Sequence, residues 1–280
     1  MNNLVSDLIF NIDNELASLD EESIKRLRIQ NKNLGQVSDL VIEKEQHKLE
    51  NLEQQATPLV RTIIEHMLDC HVEFNDMLAS KLRDGKITKD SYARYLIQAW
   101  YHTRFTPEFE ALFANKLAEY IKGNTKNNFE KGNKFLLLVE SGIDEEAGHE
   151  LWAIQDLQNL EYKHFDIVKD VYPESKALIS TQFDRINRLN FKGFLGYSFY
   201  LEYWVAKYSK FQLQILESCG IPSECQSFIH NHYVVDQGHA FDNIELLNFL
   251  IDNEADATEV IDNMNIIHML YFAMVAKSFN

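Results

Sequence analysis

The segment His232-Tyr-Val-Val-Asp236-Gln-Gly-His239 restricts the fold of this chain more than any other stretch. At about 100° per residue, His232, Asp236 and His239 fall within about 60° of one another on the helical face that also carries Phe228, Val235 and Leu246. Two imidazoles and a carboxylate therefore point into whatever core buries this helix. A single core histidine is ordinarily satisfied by its neighbours, but three ionisable groups on one apolar face are costly to bury without a cation. The segment calls for a helical fold with a metal site in its interior.

The remaining sequence is compatible with that demand. Only 10 Gly and 4 Pro interrupt 280 residues, and the apolar residues recur at helical rather than alternating spacing, so the chain reads as all-α with no sheet required. Its length suffices for one large core, and nothing in it looks like a linker between two units. Residues 1–55 are charge-rich, with weak amphipathic stretches at 4–18 and 22–34 and a polar segment from Glu43 to Gln55, and read as peripheral N-terminal helices covering a principal helical domain at 56–280.

A formal charge of -16 opposes binding to nucleic-acid backbones and anionic membrane surfaces. No apolar run approaches a membrane span and the N-terminus lacks a leader pattern, so a cytoplasmic protein is expected. Cys70, Cys219 and Cys225 form no CxxC and cannot all pair, which argues against both a disulfide framework and a thiolate metal site.

The periodicity predicts helices over Pro58–Arg83, Thr88–Phe105 and from Thr106-Pro107 to about Ile121, then a solvated loop from Lys122 to Lys134. One continuous helix is expected from Phe135 to Leu160, with Gly142, Glu145, Glu146, His149 and Trp152 on its inner face and Glu140 and Asp144 outside. After a break at Pro173 come helices to Arg188, from Phe191 to Cys219, through the histidine segment to Ile251, and from Asp256 to Phe279. The helix of 191–219 carries Glu202 inside an otherwise apolar stripe, where it needs a proton, a cation or a metal.

The inward polar groups are thus Glu146-x2-His149, Glu202 and His232-x3-Asp236-x2-His239. All are N or O donors, a set suited to a pair of iron ions bridged by carboxylates. This pattern resembles the haem-oxygenase-like di-iron oxidases and oxygenases, an iron-containing redox enzyme family. The resemblance spans roughly residues 90–250 and implies a seven-helix haem-oxygenase-like bundle. It also implies Glu146, His149, Glu202, His232, Asp236 and His239 as iron ligands, and two Fe with O2 as co-substrate. Some members place the first carboxylate seven residues before the histidine. Gly142 stands there in this chain, so that ligand comes from Glu146, Glu145 or, on the preceding helix, Glu110.

Two other readings stand beside this one. A ferritin-like iron-binding or ferroxidase protein would use Glu110, Glu146, His149, Glu202, Asp236 and His239, leaving His232 unexplained. A haem protein would need a proximal histidine early in the fold, where only His47 in a polar segment is on offer. The expected partners are a small substrate, amino-acid- or amine-derived with a fatty acid as alternative, and an external reductant. A homodimer is left open. Tyr101, Tyr197, Tyr200, Tyr203 and Trp204 are expected around the pocket, with Arg104, Arg188, Lys192 or Lys207 available for a substrate carboxylate.

Overall fold

A computed structural model describes residues 9–123 and 129–280. Short polar signals set the helix boundaries. Thr57 caps a helix that has Pro58 in its first turn, Thr88 and Ser91 form a reciprocal capping box, and Asn253 caps the last helix. In chain order the elements are β1 (Ile9–Asn11), α1 (Ile12–Ser18), α2 (Glu21–Leu34), α3 (Asp39–Gln55), α4 (Pro58–Arg83), α5 (Lys89–Thr103) and α6 (Thr106–Gly123). There follow α7 (Phe129–Glu146), α8 (Glu150–Asn159), β2 (His164–Asp166), α9 (Pro173–Arg188), α10 (Leu195–Ser218), α11 (Ser227–Leu250) and α12 (Glu254–Ser278).

The architecture is all-α, as the periodicity requires. Among the described residues α10 and α11 form the most extensive helix pair, α6 and α7 form a hairpin, and α8 packs between α5 and α11. α12 closes the bundle against α4, α9 and α10. A continuous core runs through it, with Trp152, Tyr92, Tyr200, Phe74, Phe109 and Phe199 among its largest buried side chains. α1 packs on α8, and α2 and α3 on α11, burying Ile12, Ile42 and Leu49.

Three local expectations need correction. β1 pairs antiparallel with β2, Phe10 opposite Phe165, so a two-stranded ladder exists where no sheet was required; Phe10 and Phe165 stack at 4.8 Å and Phe10 meets Trp100 at 4.5 Å. Such short ladders are held by aromatic packing and leave no period-2 pattern. Helix also extends into the expected loop at both ends, through Gly123 and from Phe129, with residues 124–128 of that stretch outside the described set. Gly132 lies so close to Ile121 that a Cβ there would sit 2.9 Å from its side chain, and this contact seats the start of α7 on the end of α6. Residues 1–8, part of the amphipathic stretch at 4–18, also lie outside the described set.

The third correction bears on the site. The helix expected over 135–160 is broken: α7 ends at Glu146, Ala147–His149 form a turn, and α8 begins at Glu150. Gly148 makes the break with φ +97°, a conformation that L side chains rarely adopt. His149 therefore leads the second helix instead of following Glu146 along the first.

Candidate metal centre

Four elements bring the expected ligands together. α7 ends on Glu145 and Glu146, the turn after it presents His149, α10 supplies Glu202, and α11 supplies His232, Asp236 and His239. Glu146 lies at the middle of the group, with one carboxylate oxygen 3.2 Å from His149 Nδ1 and the other 3.4 Å from His239 Nδ1. The same His239 nitrogen is 3.3 Å from Asp236 Oδ1, and His239 Nε2 is 3.5 Å from Glu145 Oε2. The choice between the two adjacent glutamates is geometric: Glu146 is buried at 5% exposure, whereas the Glu145 side chain is 65% exposed on the outer side of His239.

The histidines are oriented by their surroundings. His232 donates from Nδ1 to the Phe228 carbonyl oxygen one turn earlier, 2.7 Å away, which leaves the Nε2 lone pair free. The His149 ring stacks on Trp152 at 4.0 Å and meets the His232 ring edge-on at 5.2 Å. Glu202 borders a cavity on each side of the cluster and accepts from Asn243 Nδ2 at 2.5 Å, while Ser198 donates to Asn243 Oδ1 at 3.0 Å. Glu110, on α6, extends its carboxylate to where a side chain at 142 would stand; a Cβ on Gly142 would lie 3.1 and 3.2 Å from its two oxygens. A carboxylate from the neighbouring helix thus occupies the space beside Gly142.

Burial dominates the electrostatics. It raises the Glu110 carboxyl to about 8, with the Glu146 charge adding to the effect, and Asp236 to about 6, and it holds Glu202 well above the carboxylate range. Burial opposes the charge on Glu146 too, but His149 and His239 outweigh it and bring that carboxyl down to about 2. Desolvation pushes His232 down to about 3. His239 is raised despite its burial, because the carboxylates of Asp236, Glu145, Glu202 and Glu146 surround it.

No three His, Cys, Asp or Glu side chains among the described residues converge as a ready-made ion cage. The donors instead face one another, acid against imidazole. Glu110 Oε2 is nevertheless buried with no hydrogen-bond partner among the described residues, and His149 Nδ1 and Asp236 Oδ1, 3.2 Å from Glu146 and 3.3 Å from His239, meet those groups without hydrogen-bond alignment. Buried polar atoms without a hydrogen bond are costly inside a protein, and here they belong to three residues of one cluster. Imidazole and carboxylate donors without thiolate fit iron, and the three cysteines are free and belong to other parts of the fold.

The sequence overlooked three contributors. Asn243, which holds Glu202, lies one turn beyond His239 and was findable by extending the α11 stripe. Asp156 on α8 accepts from the backbone N–H groups of Ser227 (3.0 Å) and Phe228 (2.8 Å) and from the Ser227 hydroxyl, so it caps α11 from a different helix and ties His149's helix to His232's. His102 on α5 lines the cavity beside the cluster. No local pattern signals either of the last two.

Several expected pocket residues lie elsewhere. Tyr197 and Trp204 line the cavity, but Tyr200 bonds His268, Tyr203 donates to Glu53, and Tyr101 packs with Trp100 and Phe105. None of the proposed cations borders it. Arg104 lies over Trp100, Tyr101 and Phe105, Arg188 pairs with Asp184, Lys192 with Asp256, and Lys207 with Glu53. In so acidic a chain three of these four cations find nearer carboxylates than a substrate's.

The sequence profile of a family described as "iron-containing redox enzyme" matches residues 93–271, the span that carries all six expected ligands. No curated protein matches the chain at a significant level. Among solved structures, a domain of unknown function with a haem-oxygenase-like fold from Shewanella denitrificans is similar at 20% identity and TM-score 0.56, over 86% of this chain and 92% of that one. A TenA homologue from Pseudomonas syringae is similar at 13% identity and TM-score 0.63, over 81% and 94%. At these identities the likeness is one of fold, and the fold is haem-oxygenase-like. Among the described residues no helix is long and apolar enough to cross a membrane.

Proposed function

The chain belongs to the iron-containing redox enzyme family, and on that premise we propose that it is a non-haem di-iron oxidoreductase that uses O2 to oxidise a small substrate. The observation that carries this reading is the placement of the buried Glu146 between His149 and His239, with Asp236 against His239 and the unpartnered Glu110 Oε2 close enough to feel the Glu146 charge. Glu146, with an imidazole beside each of its oxygens, would help to hold both ions. His149 and His232 would serve one, Asp236 and His239 the other, and Glu202 and Glu110 the remaining positions. Bound iron would supply the electrons that reduce O2, an external reductant restoring them.

The chain's own residues do the rest. The Phe228 carbonyl keeps the proton of His232 on Nδ1, so that Nε2 can ligate without a change of tautomer. Glu110 and Glu202 are held protonated by burial and surrender protons when a cation replaces them, so metal binding strengthens as pH rises. Trp152, Phe228 and Trp204 keep bulk water from the imidazoles and from the cavity.

His232 argues against the ferritin-like alternative, which has no use for a third imidazole packed against His149. For the substrate, the cavity favours an amine or an apolar body over an amino acid held by its carboxylate, because neither Lys nor Arg is among its described lining residues. Fatty-acid chemistry is the second reading: an apolar annex lined by Phe74, Leu78, Ile87 and Leu216 would take the chain, while the lack of a described lining cation counts against its carboxylate as it does for an amino acid. Anaerobic titration should give two Fe(II) per chain. Exposure to O2 with panels of amines, amino acids and fatty acids should then show one class that changes the optical transient and is consumed. One Fe(II) per chain at full activity overturns the di-iron assignment.

A further inference from the structure

The cavity beside the cluster, about 70 Å³, is bounded on one side by Glu146, Glu202, His232 and Asp236 and on the other by Leu201, Trp204, Val205, Phe228 and Ile229. Most of its polar lining atoms outside the cluster are used up by the protein. Ser198 donates to Asn243 at 3.0 Å, Ser209 to Gln212 at 3.0 Å, and the Tyr95 and Tyr271 hydroxyls meet at 3.4 Å. His102 differs. It is buried at 7% exposure, yet Nε2 has no hydrogen-bond partner among the described residues, and the ring meets Tyr271 edge-on at 5.8 Å. Burial also keeps it neutral, pushed down to about 4, so it presents one donor and one acceptor and no charge. A second void of about 30 Å³ shares Tyr95, Trp204, Gln212, Ile229 and Tyr271 with the first as a common wall, and its other lining is aliphatic and aromatic.

We infer that His102 is the residue that orients substrate against the cluster, by a hydrogen bond between its unpartnered Nε2 and a neutral hydrogen-bonding group on a molecule whose remaining surface is apolar. A buried imidazole left unpaired is costly, and a ligand that completes its hydrogen bond recovers that cost. The walls accept aliphatic or aromatic groups, and no described lining cation is present to hold an anion there. A carboxylate placed in the metal-free cavity would meet a neutral imidazole and the ionised Glu146, with no described lining cation to offset their effect. The substrate class is therefore a small apolar molecule with an uncharged polar end at His102, such as an alcohol, an amide or an unprotonated amine. The inference rests on reading this cavity as the place where substrate meets the cluster.

The test uses metal-free protein, so that its outcome is independent of the iron count that tests the proposed function. n-Butanol, n-butyl chloride and butyrate are titrated by ligand-detected NMR against wild type, His102→Leu and His102→Gln, with Trp fluorescence as a second readout because Trp204 lines the cavity. n-Butanol should bind wild type better than butyrate. His102→Leu should weaken n-butanol by roughly threefold to tenfold, the worth of one neutral hydrogen bond, and leave n-butyl chloride unchanged. His102→Gln should restore part of the loss, and remains informative if the leucine variant does not fold. If His102→Leu binds all three as wild type does, or if wild type binds none, His102 is a packing residue and the inference fails.

Discussion

His232 separates a haem-oxygenase-like centre from a ferritin-like one at the level of a single side chain. Its Nδ1 is committed to the Phe228 carbonyl oxygen and its ring sits 5.2 Å from that of His149, so Nε2 is the atom available to a metal. His232→Ala should therefore reduce bound Fe(II) from two per chain to at most one with helix content unchanged, as read by metal analysis and far-ultraviolet circular dichroism. Two irons and full turnover in the variant would overturn the ligand assignment. Glu202 gives a complementary test. Burial holds its carboxyl well above the ordinary range, so in metal-free protein it is a neutral acid bonded to Asn243. Glu202→Ala should shift the metal-free melting midpoint little, whereas Fe(II) should raise the midpoint of wild type far more than that of the variant. Equal midpoint gains on iron loading would remove Glu202 from the ligand set.

Between elements, two devices set the register of the centre. The turn at Gly148 redirects the chain between α7 and α8 at φ +97°, so Gly148→Ala should cost about 1 kcal/mol or more in urea unfolding and displace His149 from Glu146. Unaltered stability and unaltered iron binding would show that the turn tolerates a side chain. Asp156 fastens α8 to the first turn of α11 through two backbone N–H groups and a hydroxyl. Asp156→Ala leaves those donors unpaired and should cost about 1–3 kcal/mol, with iron affinity falling because His149 and His232 lose their common anchor. Should stability fall while iron affinity holds, the cap supports the fold alone.

For the whole molecule, the buried groups fall into two sets, depressed and raised, with opposite pH dependences. His71, His102 and His232 are depressed by burial from 6.5 to about 3, 4 and 3, so the stability tied to their neutrality is present above pH 6.5 and lost as pH falls. Glu110 and Asp156 are raised by burial from 4.5 to about 8 and from 3.8 to about 7, so their contribution is complete below the unfolded values and lost as pH rises. Glu202 and His239 are also raised and act in the same direction. The two sets oppose each other between about pH 4.5 and 6.5; above that only the raised groups act. The metal-free protein should lose thermal stability from pH 6.5 to about 8. If Glu110, Glu202 and His239 hold iron as proposed, their protons would be displaced on binding, and the iron-loaded protein should hold or gain stability over that window in anaerobic calorimetry. Parallel curves for the two forms would mean that these protons are not displaced by metal.

Helical spacing by itself determined the all-α class and the convergence of His232, Asp236 and His239, because a 3.6-residue period is a local property that survives any packing arrangement. It also placed Glu202 inside, since one carboxylate in an apolar stripe is visible without a partner. What the sequence left open depended on contacts between distant segments. Both Glu145 and Glu146 reach His239 across the bundle, and only the packed structure shows that Glu146 is the one buried between His239 and His149. The approach of Glu110 to the space left by Gly142 joins α6 to α7, and the Asp156 cap joins α8 to α11. The break at Gly148 was hidden because glycine in a helical window is equally compatible with continuation. Arg188, Lys192 and Lys207 went to nearer acids and Arg104 to aromatic rings, and His102 was left as the unpaired group in the cavity. Spacing fixes which way a side chain points from its own helix; only the packed tertiary structure decides what it meets.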